Sequence, residues 1–229
     1  MVSLNHFSAL FVDYYNYYKK YSDLYGDKVI ILHQTGHFFE IYDYPDDEEF
    51  LCSDIYKVSN IVNLNVTRRD KNKDISPKNW LMSGVPLMKL DKYCEIFLQS
   101  NYHVIVISQV SSPPNIEREV THVLSPGTVL NDFNNINVEN NLVSIYIEKN
   151  TLMNKELYSA GISIINVATG KSKITNVIQN YEDENYTDNE IQRILSYYNP
   201  VEILVHTKDF ILTKEEIINK YDLSHDNIY

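Results

Sequence analysis

The chain has 229 residues, 44% hydrophobic and 22% charged, an ordinary globular composition with room for one large domain or two modest ones. Its formal net charge of -11 argues against a protein that holds nucleic acid by bulk electrostatics, because neutralising phosphates takes an excess of Lys and Arg. Its two cysteines, Cys52 and Cys94, suggest neither a disulfide framework nor a metal site, and no stretch reaches the ~18 apolar residues of a membrane span.

Residues 3–25 are predicted to form a helix. Ser3 is the expected cap, and Phe7, Leu10, Phe11, Tyr14, Tyr18, Tyr21 and Tyr25 recur at spacings of three and four, as a core-facing stripe does. An aromatic ladder for single-stranded nucleic acid would interleave basic residues, and only Lys19 and Lys20 interrupt this one. Gly26-Asp27 turns the chain into a short buried strand over 29–32. Gly36 breaks that strand, residues 38–42 resume in extended form, and an acidic loop covers 43–49. A helix-like stretch over 52–62 leads to a strand end and basic turn, Asn65-Val66-Thr67-Arg68-Arg69-Asp70-Lys71. Residues 70–79 read as a polar loop and Ser83-Gly84-Val85-Pro86 as a breaker. An amphipathic helix over 90–101, a strong strand over 102–109 and a proline-containing loop over 111–115 follow. A short strand over 120–124 is ended by Ser125-Pro126-Gly127-Thr128.

The run Asn131-Asp132-Phe133-Asn134-Asn135-Ile136-Asn137 is polar and without periodicity, so residues 131–140 are expected to link two domains, 1–130 and 141–229. Residues 1–130 carry 12 Lys+Arg against 16 Asp+Glu and residues 131–229 carry 8 against 15, so the first part is the less hostile half to a polyanion. In the second, strands are predicted over 142–148, 160–167 and 172–178, the last two joined through a turn at Thr169-Gly170. A helix over 188–198 capped by Asp188, a buried strand over 201–206 and a helix from Lys214 complete it. The fold class is α/β, with a mixed-sheet first domain and a small layered second one.

The segment Gly36-His37-Phe38-Phe39-Glu40-Ile41-Tyr42 is the candidate site. Alternation along a strand puts Phe38, Glu40 and Tyr42 on one face and Phe39 and Ile41 on the other, where they can enter the core. A phenyl ring and a carboxyl then project together. A ring on a rigid strand can wedge between base steps, at a cost of a few kcal/mol of unstacking. A carboxylate is unwelcome near phosphates unless it accepts a hydrogen bond from a base or is itself protonated. Taken alone, the segment also reads as an ordinary half-buried strand.

Four ordered segments together carry a resemblance. Phe38-x-Glu40 after glycine resembles the mismatch-reading motif of MutS proteins. Val66-Thr67-Arg68-Arg69 resembles the Thr-x-Arg turn that follows it. Ser83-Gly84-Val85-Pro86, the helix through Tyr93 and Leu98, and the strand ending at Gln109 resemble the family's Gly-x-Pro-helix-strand run. Ile116-Glu117-Arg118-Glu119-Val120 to Ser125-Pro126-Gly127-Thr128 resembles the close of its first domain. Residues 161–169 and 191–205, with Asn199-Pro200-Val201-Glu202, look like its connector domain, which is ribonuclease-H-like.

The resemblance implies that Phe38 inserts from the minor groove and stacks on a mispaired or unpaired base, that Glu40 bonds to that base, and that the DNA is kinked there. Thr67, Arg68 and Arg69 would position the backbone. Outside the resemblance, His37 beside Phe38 reads either as a phosphate contact when protonated or as a solvated loop-end histidine. The expected partner is double-stranded DNA with a mismatch or small loop. No cofactor is expected in this chain. ATP and Mg belong to the full-length family, whose lever, clamp and ATPase would be supplied in cis or in trans, and these residues alone are expected not to be an enzyme. The chain ends soon after a helix start, as a fragment or a split gene would.

Three departures from the family pattern point to a divergent branch of the kind found in giant viruses and some organelles. His37 stands where many members have an acid, His33-Gln34-Thr35 replaces a common basic residue, and Asp46-Asp47-Glu48-Glu49 lengthens the connection after the motif. Gly170-Lys171-Ser172 imitates the end of a phosphate-binding loop, but the position five before Gly170 is Ile165 rather than glycine. A ribonuclease-H-like nuclease would need clustered carboxylates for two metal ions, and the strand over 160–167 offers Asn166 instead, so no metal site is expected. A rival reading is an acidic interaction module without independent DNA binding. The expected setting is intracellular and reducing; the sequence does not choose among nucleus, cytoplasm, organelle and viral factory.

Overall fold

A computed structural model describes residues 4–46, 49–111, 114–128, 140–179, 181–208, 210–223 and 228. They fall into two compact units, Met1–Ser125 and Pro126–Tyr229. The linker expected over 131–140 lies, apart from Asn140, outside the described residues.

The first unit opens with a 3-10 turn, Leu4–His6, and helix α1, Ala9–Tyr25. The helix starts later than its aromatic stripe suggests, because Ser8 is the cap: its hydroxyl accepts from Phe11 N. Ser3 lies outside the described residues. The stripe itself faces inward, with Phe7, Phe11, Tyr14 and Tyr21 buried and Leu10, Tyr18 and Tyr25 packed beside them.

Strands β1 (Val29–Thr35) and β2 (Phe38–Asp43) form an antiparallel hairpin. Gly36 holds the left-handed φ of 61° at the first of the two turn positions, where a side chain would be strained. The acidic stretch then pairs β3 (Pro45–Asp46) with β4 (Glu49–Phe50). Helix α2 (Ile55–Ile61), β5 (Thr67–Arg68) and β6 (Leu81–Pro86) follow. The sequence reading of 83–86 as a breaker is thus corrected. Gly84 and Pro86 lie inside β6, which pairs with β2 along its whole length; β5 reaches only Leu81 and Met82, so Gly84 and Pro86 lie on an open edge, where a missing side chain and a missing N–H are tolerated. Helix α3 (Leu90–Gln99), β7 (His103–Gln109) and β8 (Arg118–Leu124) complete the unit.

The six-stranded sheet has the order β5-β6-β2-β1-β7-β8 and is mixed, since β1 and β7 run parallel while the other neighbours are antiparallel. Helix α1 covers one face, over Val29, Ile31, Tyr42, Ile105 and Ile107. The alternate residues Ile30, Leu32, Phe39, Ile41, Val104 and Val106 are also buried, and α2 and α3 pack against β2, β6 and β7. Burial on both faces explains why β1 and β7 read as continuous apolar runs.

The second unit starts with a buried 3-10 turn, Pro126–Thr128, which the sequence reading placed at the close of the first domain. Strands β9 (Asn141–Leu152), β10 (Lys155–Asn166), β11 (Lys171–Ile178) and β12 (Glu202–Lys208) take the order β11-β10-β9-β12, with β12 parallel to β9 and the rest antiparallel. Helices α4 (Tyr186–Tyr198) and α5 (Lys214–Tyr221) bury Ile191, Ile194, Leu195, Ile217 and Ile218 with Val143, Ile145, Ile162, Ile164 and Ile203. Asp188 does not cap α4, whose N-cap is Asn185. It lies in the first turn instead, accepting the Tyr221 hydroxyl at 3.0 Å and pairing with Lys220 at 2.9 Å, which ties α4 to α5.

Candidate nucleic-acid interface

The hairpin β1–β2 projects Phe38 at its tip. Phe38 is 47% exposed, whereas Phe39 and Ile41 on the opposite face are buried. Its strand partners are Thr35 on one side and Pro86 on the other. Two residues along β6, Gly84 lies opposite Glu40 and offers no side chain. A Cβ built there would sit 3.5 Å from Phe38 Cδ1, so the phenyl ring leans over the bare backbone of Gly84. Exposed neighbours extend the tip: His37, whose carbonyl accepts Leu87 N at 3.0 Å, and the 3-10 turn Leu87–Lys89.

Glu40 stands on the same face, half-buried between His33 of β1 and Gly84 of β6. Its Oε2 accepts the hydroxyl of Tyr42, two residues on. Tyr42 shares this face, as alternation requires, but is buried, because its ring lies under α1 against Tyr14 at 5.0 Å and beside Trp80 at 5.6 Å. Burial and then the bond to Glu40 push its phenol well above the ordinary range, so it stays protonated and remains a donor.

Gln34 ties the turn end of the hairpin to β7 and β8. Its amide donates to Gly36 O at 3.2 Å and accepts Gln109 N at 2.8 Å, while its own carbonyl accepts Arg118 Nε at 3.0 Å. His33, opposite Glu40 on β1, is fully buried, with Nε2 3.3 Å from Asp13 Oδ2. Burial first, then the nearby Arg118, push it down to about 4 against the pull of Asp13. At neutral pH the ring is therefore uncharged, and its contact with Asp13 is a hydrogen bond rather than an ion pair.

Thr67, Arg68 and Arg69 stand apart from this group. Thr67 pairs with Met82 and Arg68 with Leu81, the residues that face Tyr42 and Asp43 across β6. The register thus puts Thr67 two strands across and four residues along from Phe38, roughly 16 Å away. Arg68 Nη2 donates to Lys71 O at 2.9 Å, and the Arg69 guanidinium lies 5.3 Å over the buried Trp80 ring. The loop beyond is held by Asn79, whose amide nitrogen is 3.0 Å from the carbonyl oxygens of Asp70, Lys73 and Asp74. Arg69 therefore has a structural duty of its own. Arg69→Ala is expected to lower the stability of the first unit by about 0.5–1 kcal/mol, as an exposed cation–π contact is worth. Urea denaturation followed by Trp80 fluorescence would check it, and an unchanged midpoint would refute it.

Elsewhere the imitation of a phosphate loop dissolves. Gly170, with φ of 68°, closes the β10–β11 hairpin, Ile165 pairs with Ser172 in mid-strand, and Asn166 Oδ1 accepts Thr169 N at 2.9 Å. Those residues do not fit a nucleotide. Among the described residues no helix is long and apolar enough to cross a membrane.

The family model for MutS domain I matches residues 13–133, the stretch that holds the hairpin, the sheet and the basic turn. The chain belongs to the MutS family. A mutS homologue of Acanthamoeba polyphaga mimivirus, described as a DNA mismatch repair protein, is 29% identical over 208 residues, 86% of this chain and 18% of that protein. The DNA mismatch repair protein MutS of Thermodesulfovibrio yellowstonii is 30% identical over 193 residues, 82% of this chain and 19% of its own length. That of Prochlorococcus marinus strain MIT 9301 is 29% identical over 148 residues, 62% of this chain and 15% of its own. The chain thus spans about a fifth of the length of the curated MutS relatives it matches. A family B DNA polymerase of Pyrobaculum calidifontis overlaps 73% of the chain and 25% of its own, at a TM-score of 0.24 and 11% identity, too loose a likeness to bear on the fold.

Sequence reasoning missed three residues at the MutS hairpin. Gly84 gains its role from a register formed across a gap of 44 positions, and Gln34 and Arg118 from contacts with neighbouring strands. Tyr42 was visible as a same-face residue; its bond to Glu40 was not.

Proposed function

We propose that this chain reads flaws in double-stranded DNA, with Phe38 as the wedge that stacks on a mispaired or unpaired base and Glu40 as the contact to that base. The observation that carries the reading is the exposed Phe38 ring on a hairpin braced from both sides, with the Glu40 carboxyl on the same face. A flaw is an easier place to kink than intact duplex, so a fixed wedge selects it through deformability. His37 supplies a donor beside the wedge. Thr67 and Arg68 serve as backbone contacts farther along the sheet, with Arg69 contributing what its stacking on Trp80 allows.

The second unit is, on this reading, the ribonuclease-H-like connector. The strand order β11-β10-β9-β12, three antiparallel strands then a parallel fourth reached through a helix, supports it. ATP hydrolysis with Mg falls to lever, clamp and ATPase portions, in cis or in trans, and the two free cysteines accord with an intracellular, reducing setting.

The test is fluorescence anisotropy at low salt, where a chain of net charge -11 has its best chance of binding. A duplex with one unpaired thymine should bind more tightly than its matched counterpart. Phe38→Ala should reduce that preference roughly tenfold, as the loss of one base–aromatic stack does. Equal binding of both duplexes, unchanged in the variant, would sink the proposal and favour an interaction module that has kept the fold.

A further inference from the structure

We infer that Tyr42 is the positioning residue for the base contact: its hydroxyl, set by Thr35, holds Glu40 Oε2 and leaves Oε1 for the base. This rests on the reading of Glu40 given above. A phenol has one proton to give, and it goes to Glu40. The contact of 3.1 Å between Tyr42 and Thr35 must then run the other way, with the Thr35 hydroxyl donating to the phenolic oxygen. The chain Thr35 to Tyr42 to Glu40 has a defined direction and crosses from β1 to β2 near the hairpin's turn.

Packing fixes the middle of this relay. The Tyr42 ring is buried against Tyr14, His33 and Trp80, at centroid distances of 5.0, 6.0 and 5.6 Å, so its hydroxyl is delivered from a rigid platform. Glu40 has three rotatable bonds and no side chain opposite it on β6, where Gly84 stands. Among the described residues the phenol is the group bonded to its carboxyl, so without it the carboxyl would have to be ordered while the ring of Phe38 enters the duplex. With it, the carboxyl is ordered before DNA arrives, and binding need not order it.

Tyr42→Phe keeps the ring and removes the bond. Against the unpaired-thymine and matched duplexes, the variant should remain folded and keep its matched-duplex affinity. Its preference for the flawed duplex should fall roughly two- to tenfold, the effect of leaving one rotamer-rich side chain to be ordered on binding. Adding Tyr42→Phe to Glu40→Ala should lower the preference no further, because no carboxyl remains to be positioned. Thr35→Val should act in the same direction and more weakly. A full preference in Tyr42→Phe, alongside its loss in Phe38→Ala and Glu40→Ala, overturns the positioning role and leaves the wedge standing. An additive double variant does the same. A preference that survives Phe38→Ala and Glu40→Ala overturns the reading of the hairpin, and the role of Tyr42 with it.

Discussion

Replacing Asp43 with asparagine is expected to make the first unit sharply acid-sensitive, adding about 4 kcal/mol to the stability lost between pH 7 and pH 4. Asp43 ends β2 with its carboxyl buried. Oδ1 accepts Tyr44 N and Cys52 N at 2.8 and 2.9 Å, and Oδ2 accepts Ile55 N at 3.1 Å, closing the acidic excursion onto the start of α2. Those donors favour the charged form, but burial outweighs them and pushes the group up to about 7. A carboxyl raised in the fold takes its proton earlier than in the unfolded chain, so the fold gains stability as pH falls from 7 to 4. Two histidines act in the opposite sense. His33 and His103 are both buried and both pushed down to about 4, chiefly by that burial. Each is neutral in the fold and protonates first when unfolded, so its contribution is complete above pH 6.5 and fades as pH falls toward 4. At about 1.4 kcal/mol per pH unit, each histidine removes about 3 kcal/mol over that range while Asp43 returns about 4. The parent therefore shows a shallow acid slope, and Asp43→Asn leaves the histidines unopposed. Trp80 is the single tryptophan and lies in the first unit, so urea denaturation at pH 7, 5.5 and 4 reads this unit by fluorescence. Parallel pH curves for parent and variant would show that Asp43 titrates as an ordinary carboxylate.

The legible parts of this fold are those set by short-range rules. The aromatic stripe of α1 and the apolar runs of β1 and β7 follow from periodicity and burial, and the β10–β11 hairpin from its turn at Gly170. Phe38 and Glu40 were legible as a same-face pair for the same reason. What was not legible depends on pairing between distant residues. Ser83-Gly84-Val85-Pro86 looks like a breaker by composition, yet it is the strand that completes the site, because β2 supplies its hydrogen bonds. The basic turn sits near the motif in sequence, and the sheet carries it to the far end of β2 through the register of β5 on β6. Asp188 has the composition of a cap, and α5 claims it instead. In each case a local propensity of about 1 kcal/mol yields to a tertiary contact that no window of sequence contains.

The second large effect is expected at Gly127, where two segments that resemble the family meet. Ser125-Pro126-Gly127-Thr128 and Asn199-Pro200-Val201-Glu202 are far apart in the chain, and Glu202 Oε2 accepts Gly127 N at 2.9 Å across a separation of 75 residues. Glu202 is buried at the start of β12, beside Leu142 of β9. A methyl group on Gly127 would lie 2.6 Å from Glu202 Oε2 and 3.2 Å from both Glu202 Cβ and Leu142 Cδ1. The first of these distances is not tolerable, so the carboxyl must move and the hydrogen bond must go. Gly127→Ala is therefore expected to cost the second unit about 2–4 kcal/mol, overpacking and a lost charge-assisted bond together. Glu202→Ala alone strands the Gly127 N–H and costs about 1–3 kcal/mol. The two should not add, because removing the glutamate makes room for the methyl, and the bond is lost only once. Amide hydrogen exchange at Val143 of β9 and Ile203 of β12 measures the unit's opening directly. Protection in the double variant close to that of Glu202→Ala is the expected result. Full additivity would mean that the methyl strains the turn itself, and the glutamate would then be a bystander to the packing of Pro126–Thr128.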